Sequence, residues 1–144
     1  MITAFLVFLA PLALAGADLQ AGRAAVRITP PAGTPMAGYY QHRFAEGVHD
    51  DLFVKAIVLE KDGVKAALAV CDLGSIDRET VEAARKLIES AAGIRPENVM
   101  ISATHTHTGP QLQSRFQSGL DASPLRLARQ YRAALPGRNA EAVR

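Results

Sequence analysis

The most constraining feature of this sequence is a change of hydrophobic period between residues 64 and 103. Residues 64–72 are apolar on both faces after the second position, which is typical of a buried central strand. Apolar side chains then recur at helical spacing over 77–92, and Asp77 is the predicted N-cap. A third segment, 98–103, has an apolar centre and predicts another strand. This strand–helix–strand order predicts two parallel strands joined by a crossover helix.

A further strand, 53–60, precedes this unit and extends the sheet. The linker between 53–60 and 64–72 contains Asp62-Gly63, a pair that favours a tight hairpin between antiparallel strands. Parallel and antiparallel pairs in one sheet predict an α/β fold with a mixed sheet. A short strand is also expected at 24–29, where Pro30-Pro31 ends it.

The last third of the sequence predicts a loop and then helical structure. Residues 108–123 are expected to form a loop with little packing, and Ser123-Pro124 is a start signal for a helix to about Leu135. Pro136-Gly137 is expected to interrupt that helix, and residues 138–144 would begin another. We therefore expect an incomplete domain. The unpaired edges of its sheet would favour self-association.

Charge and cysteine content argue against two classes of protein. The 144 residues carry 16 Lys and Arg against 14 Asp and Glu, a net charge of +2, and the basic residues are scattered. That pattern gives no support to nucleic-acid binding. The single cysteine, Cys71, allows no internal disulfide, and we expect it to be a small core side chain.

Residues 1–17 are typical of a secretory signal peptide. They contain no charged side chain, carry an apolar run over 4–14 and end in Ala15-Gly16-Ala17, a pattern that signal peptidase accepts. The alternative is an uncleaved membrane anchor, but the run is shorter than the ~20 residues that span a bilayer. We predict cleavage after Ala17, a mature domain over 18–144, and a secreted or periplasmic location.

The segment with the strongest chemical pattern is Thr104-His105-Thr106-His107-Thr108, at the end of a predicted strand. Residues two apart on an extended strand point to the same side, so both imidazoles could reach one cation, or one could bind while the other orients it. Asp72 ends the neighbouring strand, where α/β sheets place their ligand crevices, and could accept a hydrogen bond from a histidine or a substrate hydroxyl. The alternative is a solvated strand exit without function, because two histidines are half a zinc site.

A second polar cluster, His49-Asp50-Asp51, precedes the strand at 53–60. It would either contact a substrate or metal, or simply form a turn through Asx hydrogen bonds, and turn formation is the simpler interpretation. His42 and Arg43 would bind an anion or line a pocket entrance, or would form a solvated loop pair. The sequence contains no phosphate-binding loop, no Gly-x-Ser-x-Gly elbow and no Cys-x-x-Cys pair, so nucleotide enzymes and serine-triad hydrolases have no support.

Four motifs occur in a fixed order along the first 110 residues. They are Ile28-Thr29-Pro30-Pro31, Gly33-Thr34-Pro35-Met36-Ala37-Gly38-Tyr39, Gly47-Val48-His49-Asp50 and Ser102-Ala103-Thr104-His105-Thr106-His107-Thr108-Gly109-Pro110. Their order and spacing resemble the start of the neutral/alkaline ceramidases. The resemblance covers roughly residues 21–110 and continues weakly to 144.

The resemblance implies an exported or surface-bound zinc amidohydrolase, the class of enzyme that cleaves ceramide to sphingosine and a fatty acid. It implies that His105 is a zinc ligand and that His107 beside it contacts the substrate or orients the ligand. Further residues expected to lie near the substrate or the ligand are Gly38, Tyr39, His49 and Asp72. The implied cofactor is zinc, and the implied partners are a ceramide-like lipid amide and, peripherally, a membrane.

The sequence departs from the family in three ways. The family completes its zinc site with another histidine, a glutamate and a tyrosine from regions beyond the length of this chain, so the resemblance implies an N-terminal portion that is inactive alone. Thr108 stands where serine is usual, and Gln111-Leu112 follows where the family tends to be rich in glycine. Two alternatives stay open: another metal-dependent amidohydrolase, or an exported binding module in which both histidines are incidental.

Overall fold

Four strands form one mixed sheet in the computed structural model, which describes residues 18–144. The predicted signal peptide, 1–17, lies outside the described residues. The elements are β1 (Gln20–Arg27), β2 (Phe53–Lys61), β3 (Val64–Cys71), α1 (Arg78–Ala92), β4 (Val99–Ala103) and α2 (Ala122–Val143), with short 3-10 helices at Pro96–Asn98 and Ser114–Phe116. The strand order is β1-β2-β3-β4, antiparallel except for the parallel pair β3–β4. The predicted α/β class and mixed sheet are confirmed.

The hairpin between β2 and β3 turns at the predicted Asp-Gly pair. Asp62 and Gly63 both have positive φ, +51° and +77°, as a type I′ turn requires. This turn sets the antiparallel register from Lys61 opposite Val64 to Val54 opposite Cys71. The register places Cys71 in the core with no exposed surface, as the sequence predicts.

The crossover helix α1 begins and ends at the predicted residues. The Asp77 carboxylate accepts a hydrogen bond from the Thr80 N–H at 2.9 Å, and Gly93 closes the helix in the left-handed conformation. Ala84 and Ile88 on its apolar face are fully buried. The capping residue and the apolar spacing therefore both match the prediction for α1, which connects β3 to the parallel strand β4.

The core lies between one face of the sheet and the two helices. Val54, Ala69 and Val99 from three strands pack in one cluster with Ile88 of α1 and Leu135 of α2. The opposite face carries a row of exposed apolar side chains in register across β2, β3 and β4: Ile57, Leu68 and Met100. Within residues 18–144 nothing covers this row, a feature consistent with an incomplete domain. Self-association remains a prediction.

The predicted interruption of the second helix is wrong. α2 is continuous over Ala122–Val143 with Pro136 in its interior, at an intrinsic cost of about 3 kcal/mol. Leu135 and Asn139 on either side of the proline are 1% and 0% exposed. The Asn139 amide also donates to the Leu135 carbonyl at 2.9 Å. Packing against the sheet therefore outweighs the proline penalty.

Arg132 of α2 is paired with the N-terminal end of α1. Its Nε donates to the Asp77 carboxylate at 3.0 Å, and its Nη2 donates to Glu79 at 2.9 Å. Burial alone would raise the pKa of Asp77, but hydrogen bonds from Arg132 and the Thr80 N–H outweigh it and lower that pKa. A carboxyl with a lowered folded-state pKa adds stability above its unfolded pKa, and this stability is lost as the pH falls through the folded value.

Asp77→Asn tests this pair because asparagine also caps helices but carries no charge. We expect the wild type to exceed the variant by about 0.5 kcal/mol in free energy of unfolding at pH 7, since both partners are more than a third exposed. The difference should shrink below about pH 4. Urea unfolding at pH 7 and pH 3 measures it. Glu82→Gln, which removes no ion pair in the described structure, is the control, and a pH-independent difference for Asp77→Asn would contradict the assignment.

No helix within residues 18–144 is both long enough and apolar enough to cross a membrane.

Candidate functional site

The His-Thr-His segment leaves β4 and turns sharply. The N–H of Thr104 donates to Cys71 O and that of Thr106 to Leu73 O, both at 3.0 Å. Hydrogen bonding between the two chain segments therefore continues beyond the ends of β3 and β4. Between these anchors His105 takes a φ of +66°, a left-handed conformation that is uncommon for histidine. The backbone at His105 is therefore not extended, contrary to the assumption behind the prediction from spacing. The neighbouring hydrogen bonds hold this conformation, which costs on the order of 1–3 kcal/mol.

The two imidazole rings nevertheless meet. His105 Nδ1 lies 2.9 Å from Gly74 O and His107 Nε2 lies 3.2 Å from His105 Nε2, with the rings edge to face. A carbonyl oxygen only accepts, so His105 carries its proton on Nδ1 and donates to Gly74. In the neutral ring Nε2 then has a free lone pair. His107 consequently donates its Nε2–H to His105 Nε2.

This pair of nitrogens fits part of a zinc shell once the His107 proton is on Nδ1 rather than Nε2, because a ring nitrogen binds zinc through its free lone pair. Two nitrogens on one tetrahedral zinc, each about 2.0–2.1 Å from the metal, stand about 3.3 Å apart. The two Nε2 atoms are 3.2 Å apart and both rings are exposed. Gly74 O supplies the backbone acceptor that commonly orients a ligating imidazole. No group of three or more His, Cys, Asp or Glu able to hold a metal occurs within residues 18–144, so this part of the chain brings together two candidate ligands.

The segment after β1 reaches the histidines by pairing with the chain that follows them. Ala37 N–H donates to Gly109 O at 2.8 Å, and Gln111 N–H donates to Pro35 O at 2.7 Å. Two of the motifs that resemble the ceramidases are therefore in contact, although some 70 residues separate them in the sequence. This pairing brings Gly38 and Tyr39 to the histidine pair.

Gly38 lies directly against His107. Its φ is +92°, and a Cβ built on it would be 2.6 Å from both Cβ and Cγ of His107. No real Cβ contact is that short, so only glycine fits here. Gly38 thus has a steric role, because it allows the loop to approach and hold the second histidine.

A cleft of about 490 Å³ contains the histidine pair. Gly38 and Tyr39 line it, and their contact with a substrate remains a prediction. Further lining residues are Tyr40, Ser75, Gln113, Arg115 and Phe116. Arg43 stands outside the lining with its guanidinium 4.4 Å from the centre of the Tyr39 ring. The cleft is thus aromatic on part of its wall and polar or basic elsewhere.

The polar wall of the cleft, formed by Ser75, Gln113 and Arg115, was not predicted. The expectation of a loop with little packing over 108–123 is wrong, because Leu112 is buried and Gln113 donates to Ser75 Oγ at 2.7 Å. Arg115 Nε in turn donates to Gln113 Oε1 at 2.8 Å. The signal in the sequence is the alternation Gln111, Gln113, Arg115, which would place three polar side chains on one side of an extended segment.

Asp72 lies at the end of β3, and its carboxylate contacts the neighbouring strand β2. Its Oδ2 accepts a hydrogen bond from the Phe53 N–H at 3.0 Å and lies 3.3 Å from Lys55 Nζ. β3 ends at Cys71, one residue earlier than predicted, so Asp72 stands at the strand exit and fixes the start of β2. In the described structure its hydrogen bond goes to this strand rather than to a histidine ring. A substrate role for Asp72 remains a prediction.

The other predicted polar groups lie away from the histidine pair. His49 is exposed and bonded to Asp50 at 2.7 Å, and this hydrogen bond raises its pKa. It does not line the cleft, and its contact with a substrate remains a prediction. His42 bonds to Ser118 O at 3.0 Å. Beside the histidines, the hydroxyls of Thr104 and Thr106 bond each other at 2.7 Å.

No protein-family model matches the sequence. Solved structures do match the fold. A neutral ceramidase from Pseudomonas aeruginosa aligns with a TM-score of 0.70 and 23% identity, over 87% of this chain and 21% of that one. A ceramidase complexed with C2 aligns with the same TM-score and identity, over 87% of this chain and 20% of that one. The chain spans about a fifth of the length of these ceramidases, and over that length it has the fold of one portion of neutral ceramidase.

Proposed function

We propose that this chain supplies part of the active site of a zinc-dependent amide hydrolase of the ceramidase type. The observation that carries the proposal is the pair of Nε2 atoms 3.2 Å apart, with His105 Nδ1 bonded to Gly74 O, in a cleft of a fold shared with ceramidase. The substrate class is a lipid amide resembling ceramide. The protein is exported through the signal peptide predicted at 1–17.

Several residues of the cleft have a defined task in this function. His105 would hold zinc through Nε2, and His107 would bind alongside it or orient the substrate. A zinc ion in such a site polarises an amide carbonyl and lowers the pKa of water to about 7. Gly74 O keeps the proton of His105 on Nδ1, and Gly38 holds the position of His107. The rings of Tyr39 and Phe116 provide apolar surface for the substrate chain.

Two imidazoles leave coordination positions that other groups must fill. A structural or catalytic zinc site has at least three protein ligands, and residues 18–144 bring together two. The remaining ligands would come from a part of the enzyme that this chain does not match. We therefore propose that the chain alone binds zinc weakly and does not hydrolyse amides.

Zinc binding tests the proposal. Calorimetric titration of the mature chain with zinc should show one weak site, and His105→Ala should lower the zinc affinity of that site at least tenfold, because it removes the oriented ligand. His49→Ala is the matched control, since His49 is exposed and lies outside the cleft. Loss of zinc in both variants, or in neither, would contradict a site at His105. Absence of zinc from the parent chain would favour a non-metal binding module.

A further inference from the structure

The cleft beside the histidine pair has an uneven charge. None of its lining residues is an aspartate or glutamate, whereas His105, His107 and Arg115 all line it. A second guanidinium, that of Arg43, stacks on the lining residue Tyr39. Because the chain as a whole carries almost balanced charge, this absence of acidic side chains is local to the cleft. The cleft therefore presents a positive potential to whatever enters it.

Arg115 is an arginine of the cleft wall that has no carboxylate partner within residues 18–144. Several arginines elsewhere form ion pairs: Arg27 with Asp51, Arg95 with Glu97, Arg132 with Asp77 and Arg138 with Glu141. Within residues 18–144 Arg115 forms no such pair, and its hydrogen bond to protein uses Nε. The two η nitrogens, which form the fork that binds oxyanions, keep their donors for a ligand.

The guanidinium of Arg115 is also held in place. Its Nε donates to Gln113 Oε1 at 2.8 Å, and Gln113 is fixed by donating to Ser75 Oγ at 2.7 Å. Its Cζ lies 4.7 Å from the centre of the Phe116 ring, a cation–π contact. Gln113 and Ser75 are half-buried, so the chain of contacts connects the arginine to the body of the domain. An arginine held in this way loses less conformational freedom on binding a ligand.

We infer that the substrate of this cleft carries a negatively charged group and that Arg115 binds it. The chemistry is recognition of an oxyanion, either a carboxylate or a phosphate, by the η nitrogens of a held guanidinium. The inference rests on the proposed function for the amide portion of the substrate, while the charge recognition rests on Arg115 and its neighbours. Gln113 and Ser75 act as positioning residues. An N-acyl amino acid or a phosphorylated lipid amide has the required chemistry.

Three soluble amides with the same acyl chain test the inference. N-octanoylglycine carries a carboxylate, N-octanoylglycinamide is its neutral isostere, and the N-octanoyl amide of phosphoethanolamine carries a phosphate. Calorimetric titration of the mature chain in chelator excludes binding of the anion to zinc. We expect at least one anionic amide to bind about tenfold or more tightly than the glycinamide, the factor expected of a charged hydrogen-bonded contact.

Arg115→Gln should abolish this preference, and Arg115→Lys should keep part of it because the charge remains. Arg126→Gln is the matched control, since Arg126 is an exposed arginine of α2 whose contact is with Gln130. Equal affinity for charged and neutral amides, no binding of any of the three, or a preference that survives Arg115→Gln would overturn the inference. The relative affinity of the two anionic amides tells carboxylate from phosphate. Zinc titration of the same variants without chelator tests the proposed function independently.

Discussion

Gly38→Ala is expected to lower the free energy of unfolding by about 3 kcal/mol and to weaken zinc binding. The alanine would adopt a φ near +92°, a region that costs non-glycine residues on the order of 1–3 kcal/mol. Its Cβ would also lie 2.6 Å from Cβ and 2.8 Å from Cα of His107, and overpacking of this kind costs a further 1–3 kcal/mol, roughly. These atoms are close to the backbone, so His107 or the loop must move. Urea unfolding and zinc titration measure both effects.

Two other glycines separate the conformational cost from the steric cost. Gly63 has a φ of +77° but open space around its Cβ position, so Gly63→Ala should show the conformational cost alone, about 1 kcal/mol. Gly47 has neither constraint, and Gly47→Ala should be close to neutral. If Gly38→Ala were no more destabilising than Gly63→Ala, the close approach to His107 would not be a constraint on the fold. Unchanged zinc affinity in a destabilised Gly38→Ala variant would show that the loop containing Gly38 does not contribute to zinc binding.

The strand–helix–strand unit could be predicted because its signals are local. The side chain that caps α1 is three residues from the N–H that it satisfies, and the hairpin turn is set by two adjacent residues, Asp62 and Gly63. The apolar faces of β3 and α1 follow from spacing along each segment alone. Such features need no knowledge of how the segments pack, and the structure has them where the sequence analysis expects them.

The candidate site could be predicted only in part. The His-Thr-His motif is contiguous and lies at a strand end, so the sequence indicates the pair. The polar wall depends on contacts between distant segments: Gln113 reaches Ser75 across 38 residues of sequence. The left-handed turn at His105 cannot be read from local sequence either, because its neighbours are held by hydrogen bonds to Cys71, at the end of β3, and to Leu73 just beyond it. Tertiary pairing, rather than local pattern, assembles this cleft.

The wrong prediction of a helix end at Pro136 also results from tertiary contacts that the local sequence does not indicate. A Pro-Gly pair is a strong local signal for a helix end. The apolar residues of α2 do not form a clear stripe at helical spacing, so the sequence gives little reason to expect the helix to continue. The side chain that decides the outcome is Asn139, a polar residue that sequence patterns place on a helix surface. In the structure it is 0% exposed and faces β3. The stability of the helix beyond Pro136 therefore depends on a buried polar contact.

Asn139→Ala is expected to lower the free energy of unfolding by about 2–4 kcal/mol. The Asn139 side chain accepts the Cys71 S–H at 3.4 Å through Oδ1 and donates to Leu135 O at 2.9 Å through Nδ2. Alanine removes both hydrogen bonds and leaves a cavity in the core. Burial raises the pKa of Cys71 to about 11, so its thiol keeps the donated proton at neutral pH. Urea unfolding monitored by helical circular dichroism measures the loss.

A double-mutant cycle with Cys71→Ala separates the hydrogen bond from the cavity. Thiols are weak donors, so we expect a coupling free energy of about 0.5–1 kcal/mol between Cys71 and Asn139, and the larger part of the loss to come from packing and the Leu135 contact. Arg138→Ala is the control: it removes an exposed ion pair with Glu141 from the same turn of α2 and should cost under about 1 kcal/mol. If Asn139→Ala cost no more than Arg138→Ala, α2 would not be anchored at Asn139. The buried side chains of Leu135, Ala142 and Val143 would then hold the helix against the proline penalty without a polar contact.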